Sequence, residues 1–357
     1  MKKNDMFSLG NENFKESYFK NHSQELLDLV ENGQHPKALF IGCADSRVVP
    51  ELITGAAPGD LFIIRNVGNF IAPYDPDTML HASAPGIEYA VTVLEVSHII
   101  ICGHTHCGAI HSLFKEIDNP SLIHTKNWLS LGNSAKSFSL LALGKDADKE
   151  KLYRLTEKLS LASQVENLLT YPDVKKGIEN NTLHIHGWVY DIESGEIEYY
   201  DPDMEKFRSL SALAKGETEE YAQAMPMDAF SGNLLEGDDL NCKVYVESFD
   251  DSIFSGLNSH FAGIIADLPE LKVIVLRMEN VPYMDQSDVY TIEEAVLELE
   301  KREIEVFVTG IQMQPEDMLR QIKLIPEVIK EESLFKDFKT FKRFVTLVKN
   351  DLGYLSL

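Results

Sequence analysis

The stretch Phe40-Ile41-Gly42-Cys43-Ala44-Asp45-Ser46-Arg47-Val48 decides how this chain reads. Ala38 to Ile41 is an apolar run of the length of a buried strand, and it leads into a cysteine, a carboxylate and an arginine at alternate positions. About 60 residues later the pattern returns: His98-Ile99-Ile100-Ile101-Cys102-Gly103 reads as a second buried strand and delivers His104-Thr105-His106-Cys107-Gly108. Reactive groups of α/β sheets collect at strand ends, so Cys43, His104 and Cys107 are expected to converge on one ion. Two thiolates and a neutral imidazole suit the borderline softness and tetrahedral preference of Zn2+. Three protein ligands leave a fourth position open, as in catalytic zinc sites, and zinc brings the pKa of bound water to about 7. Side chains alternate along an extended chain, which puts Asp45 and Arg47 on the side of Cys43. Arg47 then keeps Asp45 ionised and aimed, and Asp45 either accepts a hydrogen bond from the activated water or binds the zinc itself.

Taken singly, these features are ordinary. A buried cysteine is a small core hydrophobe, an isolated His-x-x-Cys is a weak metal signal, and Asp-x-Arg is an ion pair. Their combination at two strand ends favours a metal centre. Gly108 follows Cys107, where a side chain would crowd the metal, and its N–H is a candidate support for a developing negative oxygen. His106 and His111 are proton-shuttle candidates that also read as surface residues. His184 and His186 share one face of a later strand, which reads as structural.

The residues resemble the β-class carbonic anhydrases over about residues 10–207. The blocks that carry the resemblance are Cys43-Ala44-Asp45-Ser46-Arg47-Val48, Gly59-Asp60-Leu61-Phe62, Arg65-Asn66-Val67-Gly68-Asn69, Ile87-Glu88-Tyr89-Ala90-Val91, Cys102-Gly103-His104 with Cys107-Gly108, and His186-Gly187-Trp188 with Tyr190-Asp191. The resemblance implies a mostly parallel sheet flanked by helices, zinc on Cys43, His104 and Cys107, Asp45 and Arg47 as the catalytic pair, and reversible hydration of carbon dioxide to bicarbonate and a proton. From the plant-type members it implies a substrate hydrogen bond from Gln34 and an apolar carbon dioxide pocket made by Phe62, Val67 and Tyr89. It also implies an N-terminal helix gripping a partner subunit in a homodimer or higher homo-oligomer. Without the resemblance, the three apolar residues read as core, Gln34 as a surface amide, and the helix over Glu12–Asn32 as an amphipathic cover. Arg65 corresponds to a residue that touches regulatory bicarbonate in some bacterial members. Those members carry tryptophan three residues before the metal cysteine, where Phe40 stands here, so the form with Asp45 off the metal is favoured.

The chain has 357 residues, 44% of them apolar, enough for more than one packed core. A formal net charge of −24 argues against nucleic acid and anionic membranes as partners. Four cysteines indicate a reducing compartment. Met1-Lys2-Lys3 is followed by no apolar run, so no signal peptide is expected and the reading is cytoplasmic. Cys102 reads as structural and Cys242 carries no role.

The expected organisation is a catalytic domain over 1–212, an acidic apolar-poor linker over 213–240, and a small α/β domain over 241–357. Strands at Lys243–Glu247, Val273–Arg277 and Glu305–Thr309 alternate with helices near Asn258–Asp267, Ile292–Arg302 and Pro315–Leu324, a pattern that makes a mostly parallel sheet. This part resembles the STAS domain of SulP-type anion transporters through Val273-Ile274-Val275-Leu276-Arg277-Met278, Val281-Pro282-Tyr283-Met284-Asp285-Gln286-Ser287 and Val308-Thr309-Gly310. The resemblance implies a regulatory module whose partner is an anion transporter or a regulatory protein. Ser287 falls where related domains bind or are phosphorylated, and Asp288 replaces their usual glycine. The whole reads as a zinc carbonate dehydratase with a C-terminal regulatory module. The alternatives are a slow or non-enzymatic bicarbonate sensor coupled to a transporter, and hydrolysis of another cumulated molecule such as carbon disulfide at the same zinc.

Overall fold

The computed structural model describes residues 6–76, 83–214, 244–249, 257–267 and 271–352. The expected linker, beyond its first two residues, and Cys242 lie outside the described residues. A first sheet is built from β1 (Ala38–Cys43), β2 (Leu61–Asn66), β3 (His98–His104), β4 (His184–Tyr190), β5 (Ile197–Asp201) and β6 (Lys206–Ser209) in the order β2-β1-β3-β4-β5-β6. The first four strands run parallel and the last two return antiparallel. β1 and β3 are continuous apolar runs because both of their faces are covered. Leu39, Ile41, Ile99 and Ile101 pack on one face against α3 (Ser83–Glu88), α6 (Lys149–Leu168) and α7 (Pro172–Glu179), the last contributing Val174. Phe40, Ile100 and Cys102 point the other way, into a cluster made of strand residues alone. Ahead of the sheet, α1 (Met6–Phe14) and α2 (Ser23–Asn32) bury no residue at all.

α3 starts at Ser83 and loosens after Glu88 into a π-helical turn that ends at Val93. Glu95 sits at φ 50°, in the left-handed region, so the helix cannot continue through it.

The second sheet joins β7 (Val244–Ser248), β8 (Val273–Arg277), β9 (Glu305–Thr309) and β10 (Leu334–Phe335), all parallel, in the order β10-β9-β8-β7. Its alternation separates two cores. Ile274, Leu276, Val306 and Val308 face α8 (Leu257–Asp267), α9 (Gln286–Lys301) and α10 (Met313–Gln321). Val273, Val275, Phe307 and Phe335 face the other way, and that core is shared between domains. It takes Phe341, Phe344 and Val348 from α11 (Phe338–Leu352), Ala135 and Phe138 from α5 (Asn133–Leu143), and Leu155, Leu159 and Ala162 from α6. The Phe138 ring lies 5.5 Å edge-on from both Phe341 and Phe344. Polar ties rim the contact: Lys158 Nζ reaches Asp351 at 2.6 Å, Arg343 pairs with Glu166, and the Asn350 amide donates to the carbonyls of Met204 and Glu205. The C-terminal helix, not expected from the sequence, is what fastens the second domain to the first. No helix among the described residues is long and apolar enough to cross a membrane.

Phe344 is buried in this shared core, so Phe344→Ala is expected to cost about 3–5 kcal/mol. Both tryptophans, Trp128 and Trp188, belong to the first domain. Urea unfolding followed by tryptophan fluorescence therefore checks whether the domains unfold together: the midpoint is expected to fall, and an unchanged midpoint would mean that the first domain unfolds on its own.

Candidate metal centre

The strand order places β1 between β2 and β3, so the chain leaves β1 to one side and returns on the other. Strand order reverses at that point, and a crevice opens beyond the carboxyl ends of β1 and β3. Register pairs Gly42 with Cys102, which brings Cys43, the last residue of β1, level with Gly103, one residue before His104 at the end of β3. His106 turns the chain at φ 58°, and Cys107 follows at the entrance of α4 (Gly108–Leu113). The donor atoms of Cys43, His104 and Cys107 thus lie within 4.8 Å of one another, on residues 5%, 1% and 2% exposed. No other such group of metal-ligating side chains occurs among the described residues.

The chemistry of this set fits zinc. His104 Nδ1 bonds the Thr105 carbonyl at 2.8 Å and must be the protonated nitrogen to do so, which leaves the Nε2 lone pair free. Nε2 is buried and has no hydrogen-bond partner, a costly arrangement for an imidazole nitrogen unless it is a ligand. Cys43 Sγ accepts from the Gly68 N–H at 3.4 Å. The Cys43 thiol is pulled down to about 4, first by the Cys107 thiol beside it and against burial, with His104 also helping. Cys107 moves up, because the Cys43 sulfur adjoins it and because it is buried. A dication shared by the two sulfurs favours the thiolate at both.

Asp45 and Arg47 stand together at the mouth. Arg47 Nε and Nη2 donate to Asp45 Oδ1 and Oδ2 at 2.9 and 2.7 Å, and the Arg47 N–H adds a third bond at 3.0 Å. These bonds hold the carboxyl well below the usual carboxylate range. Asp45 Oδ2 lies 4.0 Å from His104 Nε2, facing the ligand set. Arg47 Nη2 also donates to the His106 carbonyl, bracing the His104–Cys107 loop. Arg65 is used in the same way: its guanidinium donates to the carbonyls of Cys43 and Asp45 at 3.0 and 2.6 Å.

The remaining sequence candidates separate. Gly108 adjoins Cys107, and a Cβ there would meet no protein atom within 4 Å, so the fold itself does not demand glycine. Val67 follows the end of β2, and its carbonyl accepts from Trp128 Nε1. Phe62 and Tyr89 have ring centroids 5.8 Å apart, but Phe62 pairs with Leu39, four residues and roughly 13 Å of strand before Cys43. Gln34 is exposed and precedes the amino end of β1, so the strand holds it on the order of 17 Å from the metal ligands of its own chain. His106 lies 3.5 Å from Glu193 and 4.0 Å from Glu150, and His111 stacks on Tyr153 at 4.0 Å. His184 and His186 are joined by His98, whose Nδ1 is 3.0 Å from His186 Nε2. Cys102 is fully buried and its thiol is pushed up to about 12, mainly by burial, as expected of a structural cysteine.

Two residues escaped the sequence reading. Glu157 on α6 accepts the Cys107 N–H at 3.0 Å, and Arg154 lies 3.0 Å from its other oxygen. Burial pushes the Glu157 carboxyl up to about 7. The available signal was an Arg-x-x-Glu pair set among the apolar positions of a helix.

The carbonic anhydrase family model matches residues 38–197 and the STAS domain model residues 209–341. A carbonic anhydrase of Synechocystis sp. is 38% identical over 199 residues, 56% of this chain and 71% of that one. One of Pseudomonas aeruginosa is 38% identical over 187 residues, 52% and 83% of the two chains. One of Helicobacter pylori J99 is 35% identical over 210 residues, 58% and 95%. The solved structure of the β-carbonic anhydrase CcaA is 36% identical with a TM-score of 0.52, covering 57% of this chain and 90% of that one. With these relatives spanned so far along their length, and the Cys-His-Cys set at the strand-order reversal, the chain belongs to the β-carbonic anhydrase family and carries a STAS domain behind the anhydrase fold.

Proposed function

We propose that the first domain hydrates carbon dioxide reversibly to bicarbonate and a proton with zinc on Cys43, His104 and Cys107. The observation that carries this reading is the buried, unpartnered His104 Nε2 among two cysteine sulfurs. Zinc, when bound there, supplies a hydroxide nucleophile near neutral pH. Asp45 does the aiming. Held ionised by Arg47, its carboxylate is an acceptor only, so it takes the hydrogen bond of a protonated oxygen and leaves that oxygen's lone pair toward the carbon atom. Arg47 fixes both carboxylate oxygens, which limits the directions Asp45 can offer. One Zn2+ per purified chain and stopped-flow hydration of carbon dioxide are expected; a metal-free or inactive pure chain overturns the reading. Asp45→Ala is expected to keep its zinc and lose hydration activity by about a hundredfold or more, within the range of general acid–base contributions. Full activity would remove Asp45 from the mechanism.

The site reads as complete only in a homodimer or larger homo-oligomer. Gln34 ahead of β1 and Phe62 near the start of β2, with Tyr89 beside Phe62, are too far from the carboxyl end of β1 to serve their own Cys43, while Tyr89 and the nearby Val93 are exposed. Among the described residues, the apolar cluster holding Phe40 and Ile100 is made of strand residues alone, and Met6, Phe7 and Val30 of the unburied α1 and α2 are exposed. A second copy using its α1 and α2 as arms satisfies both. Deleting residues 1–22 is expected to shift the protein to monomer in sedimentation and to abolish activity with the zinc retained; a dimer of unchanged size would place the contact elsewhere. The C-terminal domain is read as regulatory, engaging an anion transporter or a regulatory protein through its exposed side. There Ser287 stands in the first turn of α9, where Asp285 and Asp288 form a reciprocal cap that explains Asp288 structurally. The cytoplasm is the compartment that keeps two ligand thiols reduced.

A further inference from the structure

We infer that Glu157 is a positioning residue for the zinc centre, holding the Cys107 backbone so that Cys107 Sγ meets the metal. The inference rests on the zinc reading of the Cys-His-Cys site. Glu157 is 4% exposed, and a carboxylate is removed from water at a cost of several kcal/mol, so its partners matter. They are two. Oε1 takes the N–H of Cys107 at 3.0 Å, and Oε2 faces Arg154 Nη1 at 3.0 Å in an ion pair not aligned as a hydrogen bond.

At Cys107 the loop is held on its carbonyl side by the His111 N–H at 3.0 Å, and on its N–H side by Glu157. His104 is anchored by its strand. Thr105 is tied to the Tyr190 carbonyl through its N–H and to Asp191 through its hydroxyl. The His106 carbonyl is held by Arg47, which is half-exposed. After the left-handed turn at His106, the Cys107 N–H is the next backbone donor, and Glu157 is its acceptor. A hydrogen bond there sets the rotation of the Cys107 peptide, and with it the direction of the Cα–Cβ bond that carries the sulfur.

Glu157 can act as a fixed point because α6 does not move freely. On its far side, Leu155, Leu159 and Ala162 enter the core shared with the C-terminal domain, and Lys158 is tied to Asp351 at 2.6 Å. Further along, Gln164 Oε1 accepts the Ile71 N–H at 2.7 Å. A partner that orients a metal ligand in this way is worth about 10–100-fold in metal affinity.

Two conservative variants separate reach from charge. Glu157→Gln keeps an oxygen at the same distance from the Cys107 N–H without the charge. Glu157→Asp keeps the charge and withdraws the oxygen by one methylene. Zinc affinity of the full chain, measured by competition with a chromophoric chelator, is expected to fall about tenfold or more in Glu157→Asp and to stay within about threefold of wild type in Glu157→Gln. In the cobalt-substituted proteins, the d–d bands and the sulfur-to-cobalt charge-transfer band are expected to shift in Glu157→Asp alone. Wild-type affinity and spectra in both variants overturn the inference, as does the reverse order, which would assign Glu157 a purely electrostatic part. A wild-type chain that fails to bind zinc in the same competition overturns the metal reading itself, and this inference with it.

Discussion

The parallel pairing of β1 with β3 is the constraint on which the rest depends. The register brings Cys43 level with Gly103, one residue before His104, at the carboxyl edge of the sheet, and each residue of slip would carry the two ligands apart by about 3.3 Å along the strands. Everything around the pair maintains that register. Leu39 and Ile41 pack beside Ile99 and Ile101 on one side, while Phe40 and Ile100 pack on the other. Arg65 on the outer strand clamps the carbonyls of Cys43 and Asp45. A metal site of two sulfurs and one nitrogen is therefore assembled largely by apolar packing, with hydrogen bonds used for aim.

The aim is provided at several depths. Arg47 holds both Asp45 and the carbonyl of His106, so the acid and the ligand loop are held by one guanidinium. Thr105 ties the same loop to Asp191 at the end of β4, which gives the Tyr190-Asp191 block a structural reason. Behind them, α6 serves two cores at once. Its buried side chains close the first sheet through Leu161 and Leu168 and meet the C-terminal domain through Leu155 and Leu159. The C-terminal domain is thus packed against the helix that supports the metal loop, a closer relation than a module on a flexible tether has with its enzyme.

Much of this was legible in the residues. The ligand set follows from where cysteine and histidine fall at the ends of apolar runs, and the strands of both sheets follow from runs and alternation, with β8 and β9 ending where read. The C-terminal helix, too, leaves its mark in the residues: Phe338, Phe341, Phe344 and Val348 recur at helical spacing. β6 and β10 are four and two residues long, too short for a periodicity to emerge, and exist because a neighbouring strand offers its edge.

By itself the sequence determined the chemistry on offer: two thiols, an imidazole, and a carboxylate beside a guanidinium, each at a strand end or within a few residues beyond it. Such spacing survives any folding of the remainder, because side-chain alternation and strand length are local properties. Tertiary structure alone decided which residues share a site. Gln34 lies near Cys43 in the chain and Phe62 on the adjoining strand, yet strand rise carries both away from it, and Tyr89 goes with Phe62, on whose ring it sits. Glu157, 50 residues beyond Cys107, reaches that backbone because a helix crosses the sheet at the right height. Local periodicity fixes direction along an element, whereas distance between elements is set by packing, and no single stretch of chain contains it.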